Sequence, residues 1–369
     1  MLNIDSCRER QRRLLREMED VGLDLVLLGN PKTIYYLSGA LVDPYLLHAF
    51  AIDASGDSLL VTNAAPRQSA ATRTELYTGY TIERLFSKTT MHAEAHGFLR
   101  QFASRTSGPA GLEFEFLSAG FGSLTAERQQ VNITPVLDEL RRVKDPDELD
   151  AIRAATRLTE AGYAAIRARL EPGMTEYEAY LIVHDAIVRG AETSVLVRGD
   201  FACGMRGVIE GGAPTARRVA PGDTYIFDLF PTYEGYLCDL CRTFVAGPPS
   251  ALQLDTWAHI MEAHRIAQRV IRPGATGREV YTAIRDHLET FAPTRGSFSH
   301  HAGHGLGMDG WEFPWLTPGS EQVIQQGEVI ACEPGLYSED LQGGIRLEHN
   351  YLVGADGVTP LDSFPMELA

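Results

Sequence analysis

Two acidic residues interrupt strand-length apolar runs in this 369-residue chain, and they constrain its fold strongly. Asp228 stands inside the run Thr224–Phe230, and Asp239 stands inside a second run, Tyr236–Phe244. Burying a lone carboxylate is very costly, so each must be paired, protonated or bound to a cation. Gly235 allows the chain to turn back between the runs, which predicts two antiparallel strands with the carboxylates side by side.

The same pattern occurs twice more near the C-terminus. Glu333 ends the apolar run Val329–Cys332, and Glu348 lies in the strand-like stretch Gly343–Val353. His304 lies between the pair of aspartates and this pair of glutamates, and its flanking glycines let a ligand approach the imidazole closely. Four carboxylates and one imidazole make an oxygen-rich site that suits two divalent cations. A pair of cations ~3.5–4 Å apart can activate a bridging water. For each acid alone, the alternative is a buried salt bridge or a strand-end carboxylate.

A strong helix start marks a change in the chain near residue 142. Asp145 can accept hydrogen bonds from the first free N–H groups, Pro146 suits the first helical position, and Glu148 completes a capping box. Before this point, helical and strand-like runs alternate as in a small α/β domain. The sequence therefore predicts an N-terminal domain at 1–141 and a second domain at 142–369.

The second domain contains an internal repeat. Pro172–Tyr180 matches Pro273–Tyr281, and each copy has Pro-Gly followed by a Thr-x-x-Glu capping box. A duplication predicts two αβ halves that share one sheet, with a site between them. The alternative is two independent helix hairpins with similar turn chemistry.

Composition excludes several classes of partner. The net charge of −16 disfavours binding to nucleic acid or to an anionic membrane, because both need basic surface. No stretch reaches the ~20 apolar residues that a membrane span needs, and the arginine-rich start lacks the apolar segment of a secretory signal. Five cysteines, few and odd in number, indicate reduced thiols. We therefore expect a cytoplasmic protein.

These residues resemble the metallopeptidase family M24, which includes methionine aminopeptidase, aminopeptidase P and prolidase. The N-terminal segment and the junction Val143–Leu149 resemble the creatinase/prolidase branch. The resemblance implies an α/β (α+β) protein with a small creatinase-like N-terminal domain and a duplicated pita-bread catalytic domain. It also implies a homodimer that acts on small peptides.

The resemblance also implies a ligand set and a reaction. Asp239 and Glu348 would bridge both metal ions, Asp228 would hold one, and His304 and Glu333 would hold the other. Glu333 would also accept a proton from the metal-activated bridging water, as a nearby carboxylate can. The implied reaction is hydrolysis of the bond before proline, as in an Xaa-Pro dipeptidase or Xaa-Pro aminopeptidase. The implied metal is manganese, with cobalt or zinc as alternatives.

Two positions depart from the family pattern. Its members usually have one histidine seventeen residues before the first aspartate and another seven residues after the ligand histidine, where this chain has Gly211 and Trp311. Those imidazoles would contact the substrate near the scissile carbonyl, and loss of an oxyanion donor typically costs ~10²–10³-fold in rate. We therefore expect a substrate pocket of different shape at Gly211 and Trp311.

Two further residues are assigned to this pocket. His300 matches a signature position and is expected to contact the proline side of the substrate, whereas Arg346 is expected near Glu348, where it could orient ligands, bind a substrate carboxylate or form an ion pair. The departures leave an alternative function, a family member acting on another small amide or a non-peptide substrate. A non-catalytic binding protein is the third reading, and the complete ligand set argues against it.

Overall fold

The computed structural model forms two compact units, Met1–Arg141 and Arg142–Ala369. The structure describes residues 1–43, 45–79, 81–84, 88–116, 119–209 and 211–369. Among these residues, no helix combines the length and the apolar character that crossing a membrane requires. All five cysteines are free and buried, as expected for reduced thiols.

The first unit is a mixed six-stranded sheet with helices, in the strand order β4-β3-β2-β1-β5-β6. Its helices are α1 (Ile4–Val21), α2 (Pro31–Ser38), α3 (Lys88–Ala103), α4 (Ala119–Leu124) and α5 (Thr134–Arg142). Its strands are β1 (Leu25–Leu28), β2 (Ala49–Asp53), β3 (Ser58–Thr62), β4 (Arg73–Leu76), β5 (Ala110–Leu112) and β6 (Gln130–Asn132). Strands β2 and β3 form an antiparallel hairpin.

The second unit contains the repeat and the candidate site. Its helices are α6 (Pro146–Arg167), α7 (Glu176–Ala191), α8 (Met205–Ile209), α9 (Ala251–Val270) and α10 (Gly277–Leu288). Its first strands are β7 (Gly199–Cys203), β8 (Thr224–Leu229), β9 (Thr232–Tyr233), β10 (Tyr236–Leu237) and β11 (Leu240–Val245). The later strands are β12 (Gly303–Gly305), β13 (Glu312–Leu316), β14 (Val329–Cys332), β15 (Gly335–Ser338), β16 (Gly343–Arg346), β17 (His349–Val353) and β18 (Val358–Pro360).

The two copies of the repeat adopt the same local structure. Thr175 caps α7 and Thr276 caps α10, and each threonine forms a capping box with the glutamate three residues later. Each half also has its own core. One core includes Tyr163 of α6 and Val183 of α7, whereas the other includes Ile260 of α9 and, from α10, Ile284.

The prediction of one shared sheet is wrong for the described residues. Strands β7, β8 and β11 form a three-stranded sheet, strands β12, β13, β14, β17 and β18 form a five-stranded sheet, and β15 pairs only with β16. The physical reason is that backbone interruptions at Glu333–Pro334 and Leu347–Glu348 separate β14 from β15 and β16 from β17, so the second half has no continuous sheet that could extend to β11 of the first half. Proline at 334 has no N–H to donate to a ladder.

Candidate metal centre

Asp228 lies on β8, and Asp239 immediately precedes β11, the antiparallel neighbour of β8. A turn with positive φ at Glu234 and Gly235 returns the chain, and β8 then pairs with β11. Cys241 is directly opposite Asp228, and Asp239 precedes it by two residues, so the two carboxylates are diagonal neighbours on one face. The sequence had predicted them side by side.

Glu333 and Glu348 lie at the two strand interruptions, which face each other. Strand β14 pairs with β17 on one side of the interruptions and β15 pairs with β16 on the other. The Glu348 N–H donates to the carbonyl of Cys241 (3.0 Å), and the Glu333 N–H donates to the carbonyl of Ala302 (3.0 Å). These bonds fix the backbone from which both carboxylates extend.

His304 brings its imidazole to the same place from β12. Its Nε2 lies 3.6 Å from Oε1 of Glu333 and 3.7 Å from Oδ2 of Asp239. Its Nδ1 lies 2.9 Å from the carbonyl of Gly305, which can only accept, so Nδ1 carries the hydrogen. Nε2 is therefore left with its lone pair, as a metal ligand requires.

The buried carboxylates have the properties of a cation site. The described residues offer no hydrogen-bond partner to Asp228 Oδ1 or to either carboxylate oxygen of Glu348, although all three atoms are buried. Burial and repulsion between neighbouring carboxylates raise the pKa of Asp228 to about 7 and raise the pKa values of Asp239 and Glu348 well above their usual range. Divalent cations would remove this repulsion, so the donor set fits them.

Glu333 behaves differently from these three acids. Burial raises its pKa, but contacts with His301, Arg346 and His304 outweigh burial and lower the pKa of Glu333 to about 2. Nδ1 of His301 lies 3.2 Å from Glu333 Oε1. Sequence analysis gave His301 no role, and its only signal was its place beside His300.

Arg346 forms ion pairs, as one of the sequence-based readings allowed. Its Nη2 donates to Asp228 Oδ2 (2.6 Å) and to Asp200 Oδ2 (3.1 Å). Strand β16 ends at Arg346, so the regular strand that would align it with Glu348 is absent at this position. Asp200 lies opposite Asp228 on β7 and was not predicted, although it too is an acid within a strand.

A cavity of about 190 Å³ lies beside this ion pair. Its polar wall includes Asp200, His300, Tyr337 and Arg346, and its lining also includes Gly211. Gly211 has φ +63°, which an L-residue adopts at a cost. Gly211 and Arg346 thus line the same cavity, and their assignment to a substrate pocket stays a prediction.

His300 uses both ring nitrogens within the protein. Nδ1 lies 2.7 Å from the carbonyl of His301, and Nε2 lies 2.8 Å from the hydroxyl of Tyr337. The carbonyl only accepts, so Nδ1 donates and Nε2 accepts from Tyr337. Burial lowers the pKa of His300 to about 4, so the ring is neutral at pH 7. Tyr337, which sequence analysis missed, therefore sets the orientation of His300.

Trp311 is not among the described residues that line this cavity. Its side chain is 71% exposed, and its ring lies 6.2 Å from the ring of Trp315. The next residue, Glu312, is buried and pairs with Lys144 (2.7 Å). The predicted change of shape at position 311 therefore lies outside the cavity beside Arg346.

Comparison with known proteins identifies relatives along the whole chain. The model of metallopeptidase family M24 matches residues 150–355, and that of the creatinase/prolidase N-terminal domain matches residues 10–143. The Xaa-Pro dipeptidase of Pyrococcus furiosus is 25% identical over 366 residues, which cover 98% of this chain and 99% of that protein.

Solved structures share the fold. The Xaa-Pro dipeptidase of Bacillus anthracis has a TM-score of 0.84 at 23% identity and covers 98% of this chain and 99% of its own. The X-Pro aminopeptidase of Thermotoga maritima has a TM-score of 0.82 at 22% identity, with 97% and 98% covered. The predicted fold, a creatinase-like domain followed by a pita-bread domain, is confirmed.

Proposed function

This chain belongs to metallopeptidase family M24 and is a hydrolase, and we propose that it is a dinuclear-metal peptidase that cleaves the bond before proline. The observation that carries the proposal is the convergence of four buried carboxylates and one imidazole, with three carboxylate oxygens to which the described residues offer no hydrogen-bond partner. The relative named as an Xaa-Pro dipeptidase, similar along its whole length, supports the choice of substrate.

Five side chains would hold the two divalent ions. They are Asp228, Asp239, His304, Glu333 and Glu348. The oxygen-rich set favours manganese, with cobalt or zinc as alternatives. Bound ions would lower the pKa of a shared water and stabilise the negative charge that develops on the scissile carbonyl.

The protein's own groups supply the proton transfer and the orientation. Glu333 is ionised at neutral pH because of its cationic and imidazole neighbours, so its carboxylate can accept a proton from the attacking water. The pair of His300 and Tyr337 forms one wall of the cavity, where the proline side of a substrate would bind. Arg346 is occupied by Asp200 and Asp228, so it would hold Asp228 in place.

The direct test is hydrolysis of four matched peptides by manganese-loaded protein, followed by mass spectrometry. We expect cleavage of Ala-Pro, of Ala-Pro-Ala or of both, while Ala-Ala and Ala-Ala-Ala remain intact. Cleavage of the dipeptide alone identifies a dipeptidase, and cleavage of the tripeptide identifies an aminopeptidase. Equal cleavage of the alanine peptides would contradict specificity for proline.

A second function is favoured by one observation, the glycine at 211 in the cavity wall. Without an imidazole there, the substrate could be another small amide or a non-peptide compound. If protein with two bound ions leaves all four peptides intact, this second function replaces the first. If the protein takes up no divalent ion, it is a binding protein.

We also propose that the chain forms a homodimer in the cytoplasm and binds neither nucleic acid nor membranes. The resemblance to the creatinase/prolidase branch supports the dimer, and the net charge of −16 and the free thiols support the other two points. Light scattering after size-exclusion chromatography should give twice the chain mass of 40.6 kDa, whereas the mass of one chain would contradict the dimer.

A further inference from the structure

His301 is an imidazole in the candidate site that the proposed mechanism does not use. Its side chain is 28% exposed, and no strand or helix includes it. We propose that His301 is a positioning residue for Glu333, whose carboxylate it orients by donating a hydrogen bond from Nδ1. The inference rests on the proposed function, because it assigns a partner to the proposed proton acceptor.

The donor and acceptor are already in contact range. Nδ1 of His301 lies 3.2 Å from Oε1 of Glu333, and Nε2 of His304 lies 3.6 Å from the same oxygen. An ionised carboxylate only accepts, so the hydrogen belongs on Nδ1 of His301. The ring is not yet aligned for a complete hydrogen bond. Such bonds in active sites are commonly long until the substrate complex forms.

Two tryptophans limit the movement of the His301 ring. The ring of Trp315 meets that of His301 nearly at right angles (82°) with 5.7 Å between centroids, and it also contacts His304 at 5.7 Å. Trp311 packs against Trp315 from the exposed side. Edge-to-face packing of this kind favours one ring orientation. Trp311 would therefore act through Trp315 on the orientation of His301.

Glu333 needs such a partner because its other contacts constrain it incompletely. Its backbone N–H is bound to Ala302, which fixes the chain but not the carboxylate. His304 Nε2 would be occupied as a ligand under the proposed function. Among the described residues, His301 is thus a nitrogen donor within contact range that remains free to orient Oε1.

Three substitutions separate this positioning role from the other two roles that an imidazole could have here, which are contact with the substrate and direct binding of a metal ion. In His301→Asn, the amide nitrogen lies near the place of Nδ1, whereas in His301→Gln it lies near the place of Nε2. His301→Ala removes both. His184→Asn on α7, which replaces a half-buried helical imidazole, is the matched control. For each protein, we would measure the manganese dissociation constant by calorimetry, and kcat and KM for a cleaved proline peptide.

Loss of a group that orients a metal ligand typically weakens metal binding by ~10–100-fold. We expect weaker manganese binding and a lower kcat in His301→Ala and His301→Gln, with KM nearly unchanged. In His301→Asn, both the manganese affinity and kcat should recover. His184→Asn should match the wild type, and all variants should share its melting temperature without metal.

Other patterns would overturn the inference. Recovery in Gln but not in Asn would mean that Nε2 contacts the substrate. Failure of both amides would mean that the imidazole is itself a metal ligand. Unchanged metal binding and kcat in all three variants would mean that His301 has no role in the site. A wild-type protein that binds no metal would instead refute the proposed function.

Discussion

Glu333 remains ionised in a buried position because His301, Arg346 and His304 surround it. Asp228, Asp239 and Glu348 have raised pKa values in the same cluster, because burial favours their neutral form and neighbouring carboxylates repel their charge, and at Asp228 these effects outweigh the ion pair with Arg346. Of these acids, Glu333 is therefore the one whose pKa is lowered, so its carboxylate is ionised at neutral pH.

Replacement of Glu333 tests this assignment. Glu333→Gln keeps the size of the side chain and an oxygen donor but cannot accept the proton. We expect kcat to fall ~10²–10⁴-fold, the usual contribution of a general base. Steady-state kinetics with the metal content measured in parallel would check it, and a rate within tenfold of the wild type would contradict the role.

Asp362 is the acidic partner in a buried ion pair that contacts the backbone of Glu348. Arg242 donates to Asp362 Oδ2 (2.6 Å) and to the carbonyl of Glu348 (2.6 Å), and His349 Nδ1 lies 2.8 Å from Asp362. Burial raises the pKa of Asp362, but these two partners outweigh burial and hold the pKa below its ordinary value. The ion pair therefore also fixes the backbone of Glu348.

A lowered folded-state pKa has a definite consequence for stability. The contribution of Asp362 is present above its unfolded value of about 4 and is lost as the pH falls through the lower folded value. We expect Asp362→Asn to cost about 3–5 kcal/mol at pH 7, because Arg242 is left buried without its partner. Between pH 7 and pH 3, the free energy of unfolding measured with urea should fall less in the variant than in the wild type. An equal fall in both proteins would contradict this.

At the scale of elements, strand interruptions rather than regular strands position the later carboxylates. The apolar run around Asp228 predicted β8, and the run that ends at Glu333 predicted β14, because burial leaves a clear pattern in sequence. Asp200, His301 and Tyr337 were not predicted. Their roles depend on which strands become neighbours, and local sequence does not contain that information.

The two capping boxes offer a matched comparison between the halves of the repeat. Thr175 Oγ1 accepts from the Glu178 N–H (3.1 Å), and Thr276 Oγ1 accepts from the Glu279 N–H (3.2 Å). We expect Thr175→Ala and Thr276→Ala each to lower the free energy of unfolding by about 1 kcal/mol. Denaturant titration would measure both, and a loss in only one variant would argue against equivalent elements.

At the scale of the whole molecule, the candidate site joins two halves of the second unit. Asp228 and Asp239 come from the first half, whereas His304, Glu333 and Glu348 come from the second. The repeat in the sequence predicted two halves with a site between them. It did not predict separate sheets, because the interruptions become evident only from strand pairing.

Metal ions held between the halves should stabilise the fold. Ions at 100 times their dissociation constant add about 2.7 kcal/mol to the free energy of unfolding. For a unit of this size, chelation should therefore lower the melting temperature by roughly 5–10 °C. Calorimetry with and without a chelator would measure the shift, and Asp239→Ala should show none. An equal shift in that variant would place the stabilising ion elsewhere.

The most direct measurement is the number of divalent ions bound per chain, by equilibrium dialysis against manganese and elemental analysis. Five converging donors predict two ions in the wild type and a loss of metal in Asp239→Ala, with the variant still folded by circular dichroism. A folded wild-type protein that takes up no manganese, cobalt or zinc would contradict the proposed metal centre and the peptidase mechanism that depends on it.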